Sequence, residues 1–283
     1  MLLRVLHRTT FVYDGAARDS FNEIRLQPAS DGTQTCRRFA LRVEPAAEVR
    51  RYADFYGNAV GYFEVPGGHG RLEVEAESEV ETVPGADRPP VPAVSAAELA
   101  ASPEREMVAE FAAATACVPL AVDIWREAQD ALADGRSDVW TDVRRLGGHV
   151  HRAFAYRPGA TGVHTTALDA LRLRAGVCQD FAHVLLGLCR SAGIPARYVS
   201  GYFLDSELAP GTEEASHAWI EAFLPGHGWA PYDPTHDRVA DERYVKVAVG
   251  RDYADIRPIC GTYRGAATRE LRVTVQVRAA PAA

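Results

Sequence analysis

The sequence predicts an α+β protein in which an N-terminal all-β domain precedes a core of mixed helices and strands. Residues 1–83 contain short segments with partial period-2 alternation, separated by Gly, Pro, Asn and Asp, as hairpin-linked strands require. Four prolines fall within residues 84–94, and beyond them the apolar period becomes helical. We therefore expect a β domain over 1–83, a Pro/Ala-rich linker over 84–102, and an α/β core with C-terminal strands over 103–283.

Individual elements of this arrangement follow from local patterns. The alternation of Leu72, Val74 and Ala76 with glutamates predicts the last strand of the β domain. Ser95 and Glu98 form a capping-box pattern at a helix start. In the core, apolar periodicity with glycine and proline punctuation predicts helices near 103–115, 121–133, 138–154 and 178–191, and strands near 196–203, 216–224, 229–233 and 268–278.

The composition is that of a soluble globular protein and excludes several functions. The chain has 283 residues, of which 47% are apolar and 24% charged. Its formal net charge of −7 does not favour binding to nucleic acid or to an anionic membrane. No apolar run reaches the roughly 18–20 residues of a membrane span, and Arg4, His7 and Arg8 interrupt the N-terminal stretch, so we expect no secretory signal. Five scattered cysteines without zinc spacing predict free thiols, no metal and a cytoplasmic location.

The segment that predicts chemistry lies at residues 174–203. A helix apolar on nearly every side begins at Cys178 and stops at Gly193, before Pro195, which indicates a central buried helix. At the helix N-terminus, unpaired N–H groups and the positive end of the macrodipole stabilise a thiolate. We expect the remaining cysteines to be buried residues of the core: Cys36, Cys117, Cys189 and Cys260.

A thiolate nucleophile needs a base, and the base needs an acceptor that orients it. Residues 214–237 predict a hairpin with its turn at 225–228, which places His217 on the first strand and Asp233 on the second. These two positions are not directly opposite each other, so their contact requires a bulge or a diagonal reach.

Three other histidines compete for the role of base. His183 follows Cys178 by five residues and projects about 140° away from it on the helix, which makes it a poor candidate. His227 falls at the tip of the turn, where we expect it to be solvated. His236, next to Asp237, is the rival base if the register of the hairpin is shifted.

Four ordered blocks resemble the transglutaminase-like superfamily: G-V-C-Q-D-F-A at 176–182, G-I-P-A-R-Y-V-S-G-Y at 193–202, S-H-A-W-I-E at 216–221 and G-W-A-P-Y-D-P-T at 228–235. The sequence most resembles bacterial members with an N-terminal β domain, which are mostly regarded as cysteine proteases. The β segment 1–83 and G-R-D-Y-A-D-I-R-P-I-C-G-T-Y near the end also fit that subfamily, so the resemblance covers nearly the whole chain.

The resemblance implies a papain-like core with a Cys-His-Asp triad. In it Cys178 is the nucleophile, His217 the general base and acid, and Asp233 the orienting carboxylate. The backbone N–H of Cys178 is the first expected oxyanion donor, and Tyr156 and Gln179 are candidates for the second.

Two further residues of these blocks have expected structural roles. We expect Trp219 to pack against the triad and exclude water. We expect the Asp180 carboxylate to stabilise the first turn of the helix.

The implied activity is hydrolysis of an amide or peptide bond through a thioester acyl-enzyme, with no cofactor and no metal. Transfer of the acyl group to an amine is the alternative, and a non-catalytic peptide-binding module is a further one. Lys246 is the only lysine in the sequence, which makes the chain a poor amine donor toward its own copies.

The expected partner is a peptide or amide substrate, and a homo-oligomer through the N-terminal β domain is left open. The acidic segment 204–215, which contains Asp205, Glu213 and Glu214, is expected to rim the cleft and to disfavour acidic substrates.

Overall fold

The structure, a computed structural model, describes residues 1–205, 216–265 and 267–280. The N-terminal part is built from five antiparallel strands: β1 (Leu2–Ile24), β2 (Gln34–Glu44), β3 (Arg50–Ala53), β4 (Ala59–Val65) and β5 (His69–Thr82). Because β1 continues through a register shift between Val12 and Ala17, its two halves pair with different strands. The first half pairs with β5 and the second with β4.

The segment predicted as a linker, 84–102, contains a short α-helix. This helix, α1 (Ala96–Ala101), has Ser95 as its N-cap. The Ser95 hydroxyl oxygen accepts a hydrogen bond from the Glu98 N–H, and the Ser95 backbone N–H donates to the Glu98 carboxylate. The predicted capping box is therefore present. The next predicted helix is a 3₁₀ segment, Pro103–Ala112, in which only Val108 and Phe111 are buried.

The core contains four α-helices and a second antiparallel sheet. The helices are α2 (Val122–Ala131), α3 (Val139–Ala153), α4 (Ala167–Leu173) and α5 (Cys178–Ser191), with a short parallel pair, β6 (Ala155–Tyr156) and β7 (Ala175–Gly176). The sheet contains β8 (Ala196–Phe203), β9 (His217–Leu224), β10 (Gly228–Asp233), β11 (Arg238–Val239) and β12 (Tyr244–Gly250), in the order β11-β10-β9-β8-β12. Helix α5 packs on β9 and against α2, α3 and α4, as its nearly uniform apolar surface predicts.

The C-terminal strands belong to the N-terminal sheet, which differs from the expectation that they belong to the core. Strands β13 (Ile259–Gly265) and β14 (Thr268–Ala279) pair antiparallel with the second and first halves of β1. The alternation in the sequence predicts β14 as a strand but contains no signal for its partner. As a result, the first half of β1 lies between β5 and β14.

The N-terminal sheet and the core share one apolar interior. Leu3 and Val5 of β1 and Val277 of β14 are buried in the same cluster as the residues of α5. The ammonium of Lys246 on β12 lies 2.8 Å from the Asp31 carboxylate and 2.7 Å from that of Glu221 on β9, which ties the two parts of the molecule together. Within the described residues, no helix is long and apolar enough to cross a membrane.

Candidate active site

Cys178 occupies the first position of α5 and is half-buried. Its sulfur lies 3.9 Å from the carbonyl oxygen of Ser216, the residue before β9. Because the N–H at the first helical position has no intrahelical acceptor, it can donate to a charge that develops beside the sulfur.

The first turn of α5 is held by Asp180, which is buried as the third helical residue. Its Oδ2 accepts hydrogen bonds from the Val177 N–H at 2.8 Å and from the Thr161 hydroxyl at 2.6 Å. Burial raises the pKa of Asp180, against the opposing effect of these two donors. A Cβ at Gly176 would lie 2.4 Å from the same oxygen, which accounts for the glycine in the motif. Asp180 thus has the helix-stabilising position that the sequence predicts and also tethers the loop that carries Thr161.

The β9–β10 hairpin brings His217 and Asp233 together without a bulge. Gly228 pairs with Leu224 and Tyr232 with Ile220, so Asp233 falls opposite Trp219, two residues from His217 on the same face. The Nε2 atom of His217 lies 2.8 Å from Oδ2 of Asp233, which is the diagonal reach required by the sequence.

Asp233 is fully buried and has four hydrogen-bond donors around it. Its Oδ2 accepts from His217, from Nδ1 of His236 at 2.7 Å and from the Tyr244 hydroxyl at 2.7 Å. Its Oδ1 accepts from the Thr235 N–H at 2.8 Å. His236 is therefore a second partner of the carboxylate, while His217 is the histidine beside Cys178.

Electrostatics favour a charged His217–Asp233 pair. Burial alone would lower the pKa of His217, but the Asp233 charge and the hydrogen bonds with Asp233 and Cys178 raise it to about 10. Burial would raise the pKa of Asp233, yet the two neighbouring histidines hold it well below its usual range. Because Nε2 of His217 binds Asp233, Nδ1 is the ring nitrogen left for Cys178. The arrangement can thus hold a thiolate beside an imidazolium and pass a proton between sulfur and ring.

Aromatic rings enclose His217. The ring centroids of Phe203, Tyr244 and Trp219 lie 5.7, 5.9 and 6.1 Å from that of His217. Trp219 is buried and packs beside His217, the position that the sequence predicts. Sequence reasoning missed Tyr244, because it lies on β12 outside every motif and reaches Asp233 only through the fold.

The two candidate oxyanion donors differ in their surroundings. The Gln179 amide donates to the Val163 carbonyl at 3.4 Å, so one of its protons is engaged. Burial raises the pKa of Tyr156, and the charges of Cys178 and Asp233 raise it further, so the phenol lies within electrostatic range of the sulfur.

The other two competing histidines and the remaining four cysteines have different surroundings. His183 is fully buried, where its Nε2 accepts from the Tyr253 N–H, and burial lowers its pKa to about 4. His227 lies in the β9–β10 turn. The expectation of burial is correct for two cysteines, Cys117 and Cys189, and wrong for the two that lie half-buried on strands, Cys36 and Cys260.

One group of three potential metal ligands occurs among the described residues: His217, Asp233 and His236, whose ligand atoms lie within 4.8 Å of one another. Both rings already point at Oδ2 of Asp233 through hydrogen bonds, which accounts for their convergence. An ion bound there would break the contact between His217 and Asp233. Residues 206–215 of the acidic segment lie outside the described residues.

Comparison with known proteins gives two family matches in chain order. Residues 3–81 match the bacterial transglutaminase-like N-terminal region, and residues 126–234 match the core of the transglutaminase-like superfamily. The second match contains Cys178, His217 and Asp233.

Relatives extend the match to nearly the full chain. An uncharacterized protein of Mycobacterium leprae is 38% identical over 280 residues, which is 97% of this chain and 98% of that protein. A protein-glutamine gamma-glutamyltransferase of Pseudomonas aeruginosa is 39% identical over 101 residues, 33% of this chain and 15% of that protein. The crystal structure of a Cytophaga hutchinsonii protein described as a "Putative Cysteine Protease" shares the fold, with a TM-score of 0.76 at 20% identity over 100% of this chain and 93% of the other. The chain therefore belongs to the transglutaminase-like superfamily, among its bacterial members with this N-terminal region.

Proposed function

We propose that the chain is a cysteine-dependent hydrolase of amide or peptide bonds. The observation that carries this proposal is the placement of Cys178, at the start of a buried helix, beside a histidine that is hydrogen bonded to a buried carboxylate. A nucleophile, a base and an orienting acceptor in this order are the requirements of covalent acyl chemistry.

The proposed reaction has two steps. The Cys178 thiolate attacks the carbonyl carbon, the oxyanion is stabilised by the Cys178 N–H, and the imidazolium of His217 donates its proton to the leaving amine as the C–N bond breaks. This leaves a thioester and a neutral imidazole. His217 then removes a proton from water, the hydroxide adds to the thioester, and the acid product leaves as sulfur regains its charge.

Transfer to an amine is the second candidate, supported by the similarity to the Pseudomonas glutamyltransferase over one third of the chain. It uses the same thioester, with an amine in place of water. The only lysine of the chain, Lys246, is 12% exposed and paired with two carboxylates, so its side chain is a poor amine donor for this transfer.

The acyl-enzyme is tested with p-nitrophenyl acetate as the acyl donor. We expect continued release of p-nitrophenol and, in acid-quenched samples, acetylation that peptide mapping assigns to Cys178. Both should be lost in Cys178→Ala. His227→Ala, in the hairpin turn, is the matched control and should acetylate at the wild-type rate. Acetylation at other positions alone, or neither acetylation nor p-nitrophenol release in a folded protein, contradicts catalysis and favours the peptide-binding alternative.

The fate of the thioester is then measured with and without monodansylcadaverine. Hydrolysis predicts that free acetate dominates and that the amine changes turnover little. A dansylated amide as the main product, formed at a rate that rises with amine concentration, would instead support acyl transfer.

The remaining sequence expectations concern the surroundings of the protein and stay predictions. They are a peptide or amide substrate, no nucleic acid or membrane partner, a cytoplasmic location, and a homo-oligomer through the N-terminal β strands as an option. Cell fractionation and light scattering check the last two.

A further inference from the structure

A cavity of about 570 Å³ lies between α3 and the turn that joins β10 to β11. Four arginines are among its lining residues: Arg144, Arg145, Arg152 and Arg238. The volume is within the usual range of roughly 300–1,000 Å³ for small-molecule sites.

The charges around this cavity are not balanced. Arg145 is shared between Asp134 at 3.8 Å and Asp142 at 3.9 Å. Arg144 and Arg152 form no salt bridge in the described part of the chain. Arg238 is close enough to Asp241 to contribute to the lowered pKa of that carboxyl. The Asp237 carboxylate, which also lines the cavity, accepts the hydrogen bond of the Tyr232 hydroxyl. Because a hydrogen bond from a neutral hydroxyl leaves the Asp237 charge in place, the four arginines and two aspartates of the lining give a formal excess of two positive charges in a chain whose net charge is −7.

Two consecutive glycines shape the wall of the cavity within α3, where each costs about 1 kcal/mol relative to alanine. A Cβ at Gly147 would lie 2.1 Å from the Tyr232 ring, so this glycine allows the strand to approach the helix. A Cβ at Gly148 would lie 2.9 Å from Nη1 of Arg152 and 3.2 Å from Oδ1 of Asp237. The missing side chain at Gly148 thus lets the Arg152 guanidinium and the Asp237 carboxylate lie close to the helix backbone.

We propose that this cavity binds a small anion that carries at least two phosphate or carboxylate groups. The planar guanidinium presents paired N–H donors whose spacing matches the oxygens of either group. The excess of two positive charges in the lining matches an anion with at least two phosphate or carboxylate groups.

The proposed site is distinct from the candidate active site. Successive residues of a strand point to opposite faces, so Tyr232 lines the cavity while Asp233 faces His217. Binding of the anion is therefore independent of the proposed hydrolysis, and the two proposals fail separately.

The test is isothermal titration of the full chain with pyrophosphate and, separately, with citrate, at constant ionic strength. We expect saturable binding of one anion per chain for at least one of them, and the ratio of the two affinities gives the preferred group. Arg152→Gln combined with Arg238→Gln should weaken that binding at least tenfold. Arg126→Gln, on the exposed surface of α2, is the matched control and should leave it unchanged.

Three results would overturn the proposal. They are the absence of saturable binding of both anions, an unchanged affinity in the double variant, and equal weakening by Arg126→Gln, which would indicate a diffuse charge effect. Thermal unfolding verifies that the variants fold. If the double variant does not fold, the single variant Arg144→Gln provides the same test. Cys178→Ala should bind the anion as the wild type does.

Discussion

His217 uses its two ring nitrogens for different partners, and this division determines its charge. Nε2 binds Asp233, which leaves Nδ1 for Cys178. Since Asp233 is buried and receives further hydrogen bonds from His236 and Tyr244, its negative charge is held in place over a wide pH range.

The first prediction concerns the reactivity of Cys178. Limited iodoacetamide treatment with peptide mapping should label Cys178 well before Cys117 and Cys189, because burial raises the pKa of those two thiols to about 11 and about 12. In His217→Ala, labelling of Cys178 at neutral pH should slow, since the neighbouring cation is lost. Equal rates at the three cysteines would remove the basis for a nucleophile at this position.

The second prediction concerns Asp233. Asn at this position keeps the shape but removes the charge that raises the pKa of His217 from 6.5 to about 10. In Asp233→Asn, His217 should therefore lose its proton at a lower pH than in the wild type. Because the protonated ring donates to the leaving amine, the alkaline decline of the hydrolysis rate should move toward neutral pH. The rate should fall by roughly 10²–10⁴-fold, the usual contribution of general acid–base catalysis. An unshifted alkaline limb in Asp233→Asn would show that another group controls it.

At the scale of elements, the candidate site depends on the start of one helix and the register of one hairpin. The Asp180 carboxylate stabilises the start of α5 by accepting a hydrogen bond from the Val177 N–H. The register of the hairpin follows from the short turn after Leu224. Both features depend on contacts between residues that are close together in the sequence.

Gly176→Ala tests the helix start. The added Cβ would lie 2.4–2.7 Å from three atoms of Asp180, so the carboxylate must leave the Val177 N–H and the Thr161 hydroxyl. We expect a loss of about 1–3 kcal/mol in the free energy of unfolding, together with slower alkylation of Cys178. Gly162→Ala, in the loop nearby, has open space around the new Cβ and should match the wild type in urea unfolding.

Because the helix start and the hairpin register depend on short-range contacts, these parts of the site could be predicted from the sequence. The motif around Cys178 and the His217–Asp233 pair depend on short-range patterns, namely a helix start and a tight hairpin. The contacts of Asp233 with His236 and Tyr244 depend on the path of the chain after β10, where Asp237 has a positive φ of 51°, and on the placement of β12. Neither leaves a periodic signal in the sequence.

At the scale of the whole molecule, the two ends of the chain close one sheet. Leu3 of β1 pairs with Val80 of β5 and with Ala279 of β14, which joins residues separated by nearly the whole chain. The sequence predicts each of these strands from its alternation, but pairing across such a distance has no local cause and could not be predicted.

This closure predicts that the molecule unfolds as one unit. Val275 is fully buried in the cluster shared with α5, whereas Val273, two residues earlier on the same face of β14, is 41% exposed. Val275→Ala should lower the free energy of urea unfolding by about 1–3 kcal/mol in a single transition seen by both fluorescence and circular dichroism. Val273→Ala should change it by less than about 0.5 kcal/mol. Two separated transitions in either variant would contradict a shared core.

The position of Lys246 between Asp31 and Glu221 means that the reactivity of its amine can report how often the two parts of the molecule separate. Because the Lys246 side chain is only 12% exposed and pairs with carboxylates of both parts of the molecule, we expect an N-hydroxysuccinimide ester to acylate it mainly when these parts separate. The acylation rate at this position should therefore follow the urea dependence of global unfolding, and Asp31→Asn, which removes one of the two carboxylates, should accelerate it. Acylation as fast as that of a lysine in a short peptide would mean that the interface opens freely under native conditions.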